Sequence, residues 1–204
     1  MKKRLPLVFV DGLPESVDIS GREVPIEYDW RVWLMIEELL GDGELTAGER
    51  ERLAVDIAFG GLPEGGDFAG SMRALRWFYL CGEEPLGESP KGGISAPVCD
   101  IRQDWGYIYA AFLQLYNIDL FAPGLKLHWW QFRALMSALT DGCELGKIIG
   151  YRSCDLGRIK DKELRNDYAR LKAAYRLDAP EGAQVAQDKK AAAGGLFAPP
   201  EQER

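Results

Sequence analysis

Two consecutive tryptophans inside a helical pattern constrain this chain more than any other feature: Trp129 and Trp130 in Leu127-His128-Trp129-Trp130-Gln131-Phe132-Arg133-Ala134-Leu135-Met136-Ser137-Ala138-Leu139. Neighbours on a helix diverge by about 100°, so a narrow apolar stripe buries one indole and leaves the other at its margin. Covering about 200 Å² of indole is worth roughly 5 kcal/mol of gross transfer free energy, which makes an uncovered ring costly. The chain must therefore build a core wide enough for both rings or have a partner cover one. Trp129, Phe132, Met136 and Leu139 fall on one stripe with Leu135 and Ala138 beside it, and such stripes are ordinarily core.

Elsewhere the pattern is also helical. Asp29 can cap a helix with Val32, Ile36, Leu39 and Leu40 on one stripe, and Gly41 offers a left-handed stop. Thr46-Ala47-Gly48-Glu49 has the capping-box spacing, and Leu53 and Ile57 supply the apolar face that follows. A third helix is expected from about Asp67 to Leu80 on Phe68, Met72, Leu75 and Tyr79, closed by Gly82. Asp104 can cap a fourth with Trp105, Ile108, Phe112 and Leu115 on one face, widened by Tyr109 and Tyr116. Beyond the tryptophan helix, Asp141-Gly142 marks a break before a short helix bearing Leu145, Ile148 and Ile149. Asp161 then caps one carrying Leu164, Tyr168, Leu171 and Tyr175.

The amino end reads differently. Leu7-Val8-Phe9-Val10 is a short β-rich run, and Val17-Asp18-Ile19 faces Val24-Pro25-Ile26 across the Ser20-Gly21-Arg22-Glu23 turn. Pro25 lacks a ladder donor, which places the hairpin at a sheet edge or ends it there. Residues 83–96, rich in Gly, Pro and Ser, read as a long loop, and the composition from Asp178 to Arg204 cannot support a core. The expected architecture is mainly α: a β-hairpin region over 1–28, a compact multi-helix domain over 29–177 and a disordered tail over 178–204.

A net charge of −7 and a pI near 4.9 disfavour a reader of nucleic-acid phosphates. No apolar run approaches the roughly 18–20 residues that span a bilayer, and Met1-Lys2-Lys3-Arg4 leads only into a short stretch broken by Pro6 and Asp11. A cytoplasmic protein is expected. The four cysteines, Cys81, Cys99, Cys143 and Cys154, lack a Cys-x-x-Cys pair and read as reduced, partly buried residues; no metal site and no cofactor are expected.

Raw material for catalysis is thin. His128 is the only histidine and has no Ser or Cys nucleophile motif with it, so it reads as a first-turn residue, exposed or bonded to a carbonyl. Glu37-Glu38 and Glu83-Glu84 are neighbours that point apart, and a hydrolase built on Glu37, Glu38 and His128 would need them to converge in a cleft. Gly60-Gly61 with Gly65-Gly66 lacks any phosphate-loop pattern. Arg152 reads first as a structural staple to an acidic helix end, around Asp155 or Asp161, and second as a contact residue. No catalytic residue is assigned.

Several segments together resemble a known family. They are Asp11-Gly12-Leu13-Pro14, Tyr28-Asp29-Trp30-Arg31-Val32-Trp33, Trp77-Phe78-Tyr79-Leu80-Cys81-Gly82, Tyr107-Ile108-Tyr109-Ala110-Ala111-Phe112, Tyr116-Asn117-Ile118-Asp119-Leu120, Leu127-His128-Trp129-Trp130-Gln131-Phe132 and Ile149-Gly150-Tyr151-Arg152-Ser153, in order over about residues 7–177. The ordered set is similar to the helical proteins encoded among the tail genes of siphophages and prophages of Gram-positive bacteria, beside the tape measure gene. One departure is Asn117, where that family typically has glycine. The resemblance implies a non-enzymatic tail assembly protein, a chaperone binding the tape measure protein, with the tail tube protein as a further candidate partner and room for a homo-oligomer. It implies residence in the host cytoplasm and absence from the mature virion; a minor tail component retained in the virion is the alternative. Contact with such a partner would fall on Trp129, Trp130, Arg133, Tyr151 and Arg152.

Overall fold

The computed structural model describes residues 8–65, 67–83 and 98–178. Residues 1–7, Gly66, residues 84–97 and residues 179–204 lie outside them, so the expected loop over 83–96 except Glu83, Leu7 of the expected β-rich run and the expected tail beyond Asp178 do too. Among the described residues are eight α-helices and one two-stranded antiparallel hairpin, which makes the chain mainly helical.

The first helix, α1 (Val8–Asp11), corrects the expectation of a strand there. One turn forms instead, closed by Gly12 at φ 81°, whose N–H returns to the Val8 carbonyl at 3.1 Å. Phe9 and Val10 are exposed, so no neighbouring strand rewards an extended conformation for these β-rich residues. The hairpin pairs β1 (Ser16–Ile19) with β2 (Arg22–Pro25), with Ile19 opposite Arg22 and Ser16 opposite Pro25. The register leaves Ser20-Gly21 as a two-residue turn, and both have positive φ, 53° and 86°, as a primed hairpin turn requires. Pro25 is the last residue of β2, yet its missing donor breaks no cross-strand bond, because the next N–H, of Ile26, still donates to the Glu15 carbonyl at 3.1 Å.

The chain's contacts divide into two units. The first contains the described residues up to 83 together with Leu127–Phe132. In it α2 (Trp30–Leu40) packs on α3 (Ala47–Phe59), α3 on α4 (Phe68–Tyr79), and α4 on β1. Asp29 caps α2, accepting from Arg31 N–H at 2.8 Å, and Thr46 with Glu49 forms the full capping box of α3. The buried side of α2 is Trp30, Trp33, Ile36 and Leu40, turned toward the tryptophans from the expected Val32 and Leu39. Gly41 stops α2 in the right-handed region, φ −86°, not the left-handed one expected. On α3 the expected Leu53 is exposed and the small residues Ala54, Val55 and Ala58 are buried, which allows close helix approach. On α4 burial falls on Ser71, Ala74, Leu75 and Phe78, leaving the expected Phe68, Met72 and Tyr79 half-buried.

The second unit holds the described residues 98–126 and Arg133–Asp178. Here α5 (Trp105–Tyr116) packs on α7 (Glu144–Ser153), and α7 on α8 (Lys162–Ala174). The intervening α6 (Trp129–Ser137) contributes its first turn to the first unit and its remainder to the second. Asp161 caps α8 as expected, yet no residue of α8 is fully buried. Cys143 caps α7, its sulfur taking the Gly146 N–H at 3.4 Å. Asn117 ends α5 at φ 53°. That conformation is free of strain for glycine and tolerated by asparagine.

Candidate interaction surface

The tryptophan pair is consumed in the first unit. Trp129 and Trp130 are both buried. Their indole N–H groups donate to successive carbonyls at the end of α4, Trp129 to Tyr79 at 3.0 Å and Trp130 to Phe78 at 2.9 Å. A helix end leaves its last carbonyls without intrahelical partners, so the two rings act as a side-chain cap on α4 while filling the core. Trp33 stacks on Phe78 at 4.9 Å and Trp129 on Phe132 at 6.0 Å, and Trp30 covers Phe132 at 4.7 Å. The broad core is thus the outcome for both indoles.

His128 precedes this helix and caps it. Its Nδ1 accepts the Trp130 backbone N–H at 3.0 Å, which requires the proton to be on Nε2, and Nε2 donates to the Pro14 carbonyl at 2.9 Å. Burial lowers its pKa, against opposing effects of the Pro14 carbonyl and the Glu15 charge. The ring stacks against Tyr28 at 5.4 Å. A neutral imidazole with both nitrogens engaged, one on a helix amide and one on a loop carbonyl, is a structural group.

In the second unit Arg152 is the staple expected, but with a different partner. It pairs with Asp104, not Asp155 or Asp161, through two bonds of 2.6 and 2.9 Å, with side-chain exposures of 9% and 2%. The same guanidinium donates to the carbonyls of Val98 at 3.0 Å and Tyr175 at 2.6 Å. Asp104 consequently makes no side-chain cap on α5, a second correction. Burial raises its pKa, but the Arg152 hydrogen bonds and the Asp100 N–H outweigh that and hold it below the usual carboxylate range. Burial, then the Asp104 charge, pushes the Cys99 thiol up to about 12, which keeps it protonated and a poor nucleophile. Tyr151 stacks on Tyr175 at 5.9 Å and meets Tyr168 edge-on. Arg133 is half-buried.

The surface left open lies on α5. Its buried residues are Ile108, Ala111 and Phe112; Trp105 is 59% exposed, and Leu113 and Leu115 are exposed too. Trp105, Tyr109 and Leu113 recur every four residues along one side, and Phe121 (68% exposed) extends the row, lying 6.2 Å from the Trp105 ring and 5.0 Å from Tyr109. From Trp105 to Ile118 there is no charged residue. A surface helix normally carries its charge on the outward face, so an aromatic row without one is the candidate interaction surface of the described residues. The sequence stripe assigned Trp105 and Leu115 to the core, because periodicity gives a face but not how far along the helix its cover extends.

Other clusters carry less. The cleft along α8 is lined only by that helix's Glu163, Asn166, Asp167, Ala169 and Arg170. Among the described residues no three His, Cys, Asp or Glu gather as metal ligands would, and no helix is long and apolar enough to cross a membrane.

Comparison with family models gives a match to the Bacteriophage Gp15 protein family over residues 9–177. The chain belongs to that family. Nearly all the described Gp15 fold lies within the match, from α1 to Leu177, including the tryptophan pair, the Arg152 staple and the open α5 row. No curated protein and no solved structure matches this Gp15 family member.

Proposed function

We propose that this Gp15 family member is a non-enzymatic tail assembly chaperone that holds the phage tape measure protein in the host cytoplasm during tail morphogenesis and is left out of the finished virion. The observation that carries the reading is the uncharged aromatic row on α5 in a chain of net charge −7. A tape measure protein is long, helical and partly apolar, and before the tube encloses it such a chain is prone to aggregate. Trp105, Tyr109, Leu113 and Phe121 give an amphipathic helix an apolar surface to lie on, while the acidic remainder keeps the complex soluble. The groups best suited to chemistry, His128 and Asp104, are committed to a helix cap and a buried ion pair, which favours binding over catalysis.

Co-expression with the cognate tape measure protein tests this. Soluble tape measure protein should rise and a complex should be recovered; no gain and no complex would overturn the reading. Mass spectrometry of purified virions separates the chaperone from a retained minor tail component, since the chaperone should be absent.

A further inference from the structure

The open side of α5 has a shape as well as a composition. Trp105, Tyr109 and Leu113 form a ridge at four-residue spacing, and the row beside it at the same spacing is Gly106, Ala110 and Gln114, all exposed. A Cβ added at Gly106 would meet nothing within 4 Å outside its own helix. Gly106 and Ala110 carry only a hydrogen and a methyl group, so this second row is a groove along the ridge. Phe121 thickens the ridge, its ring resting against those of Trp105 and Tyr109. All of these residues belong to the second unit.

We propose that, in the free protein, this face is covered by a second copy of itself: the α5 helices of two chains cross about a two-fold axis, each seating its ridge in the groove of the other. A two-fold contact brings the same patch together from both copies, so the patch must complement itself. α5 meets that condition in shape, since it carries both a ridge and a groove. It meets it in charge as well. Two chains of net charge −7 repel, but from Trp105 to Ile118 neither brings a charge to the contact. Area sets the strength. Trp105 is 59% exposed, Phe121 68% and Leu113 43%, which with their neighbours leaves on the order of 500 Å² per copy to cover, short of the roughly 800 Å² per partner of a lasting complex. The dimer is accordingly weak, with a dissociation constant on the order of 10–100 µM, and a helix that covers more of the face displaces it. Displacement by the tape measure protein rests on the function proposed above; pairing of two free chains does not.

Sedimentation velocity of the full-length chain alone, from about 1 to 200 µM, tests the pairing. The parent should pass from monomer to dimer across that range, and Trp105→Gln, which strips the ridge, should weaken the dimer about tenfold. Gly106→Leu separates a fitted contact from general stickiness. It adds apolar surface and suits a helix better than glycine, yet it fills the groove, so the dimer should weaken about tenfold while circular dichroism stays that of the parent. Added salt screens the repulsion between two acidic chains and should tighten the dimer. A chain that remains monomeric at the top of the range overturns the inference. So does self-association that Trp105→Gln leaves unchanged, that Gly106→Leu leaves unchanged or strengthens, or that salt weakens. None of these outcomes bears on tape measure binding, which co-expression decides separately.

Discussion

His128 shows how a single group can tie pH to fold. Its imidazole is neutral because Nδ1 must accept the Trp130 N–H, and burial lowers its pKa from the ordinary value near 6.5. The unfolded chain therefore binds a proton that the folded chain resists. Stability from this group is fully present above about pH 6.5 and is lost as pH falls below it, down to the lowered folded value. No other histidine exists, and carboxylates titrate at lower pH, so thermal melts between about pH 7.5 and 5.5 isolate the effect. Tm should fall across this window in the parent chain. His128→Asn, which keeps a cap acceptor without a titrating group, should flatten the slope; an unchanged slope would assign the dependence elsewhere. The indoles offer a second contrast. Trp30 Nε1 is buried with no acceptor among the described residues, whereas Trp129 Nε1 serves the Tyr79 carbonyl. Trp129→Phe should therefore cost about 1–3 kcal/mol more than Trp30→Phe in denaturant unfolding, because only it orphans a carbonyl.

Among elements, caps were legible and long-range partners were not. Asp29, Thr46 and Asp161 cap the helices their sequences announce, since a cap joins residues two or three apart and needs no tertiary information. Asp104 has the same local signature but turns to Arg152, forty-eight positions away, and the only trace in the sequence was an arginine that wanted an acid nearby. The stripes were right in period and displaced in detail. Burial on α2 and α4 follows the bulky indoles, and the β-rich residues of α1 coil because no strand lies beside them. The spacing of the tryptophan pair offered either a broad core or a covering partner, and only the tertiary packing decides for the core; the open α5 row was not legible at all. The Arg152 guanidinium joins α7 to the start of α5 and the end of α8. Arg152→Met should cost about 3–5 kcal/mol by leaving the Asp104 charge buried and unpaired, and adding Asp104→Leu should restore part of it. Additive losses in this cycle would mean that the pair is not coupled. A tighter constraint lies at Gly146, where a Cβ would stand 1.7 Å from the Thr140 carbonyl. Gly146→Ala should lower stability by about 1–3 kcal/mol through displacement of the start of α7, read by chemical denaturation.

At the scale of the molecule the question is which surface meets a partner. The residues first marked for contact, Trp129, Trp130, Arg133, Tyr151 and Arg152, are buried or half-buried, and four of them hold structural contacts described above. On the function proposed above, changing them would act on binding first through stability. Trp105, Leu113 and Phe121 are exposed, and their removal leaves the core as it is. Trp105→Asp with Leu113→Asp should therefore keep the parent Tm within about 2 °C, a small surface effect, while recovery of the tape measure complex proposed above falls about tenfold or more. Because the α5 face carries no charge from Trp105 to Ile118, that binding should change little, less than about threefold, between low and physiological salt. A steep salt dependence would instead point to the acidic faces of the chain as the contact, with the partner supplying lysines and arginines. A complex that forms normally with both aspartates in place would move the docking surface off α5 altogether.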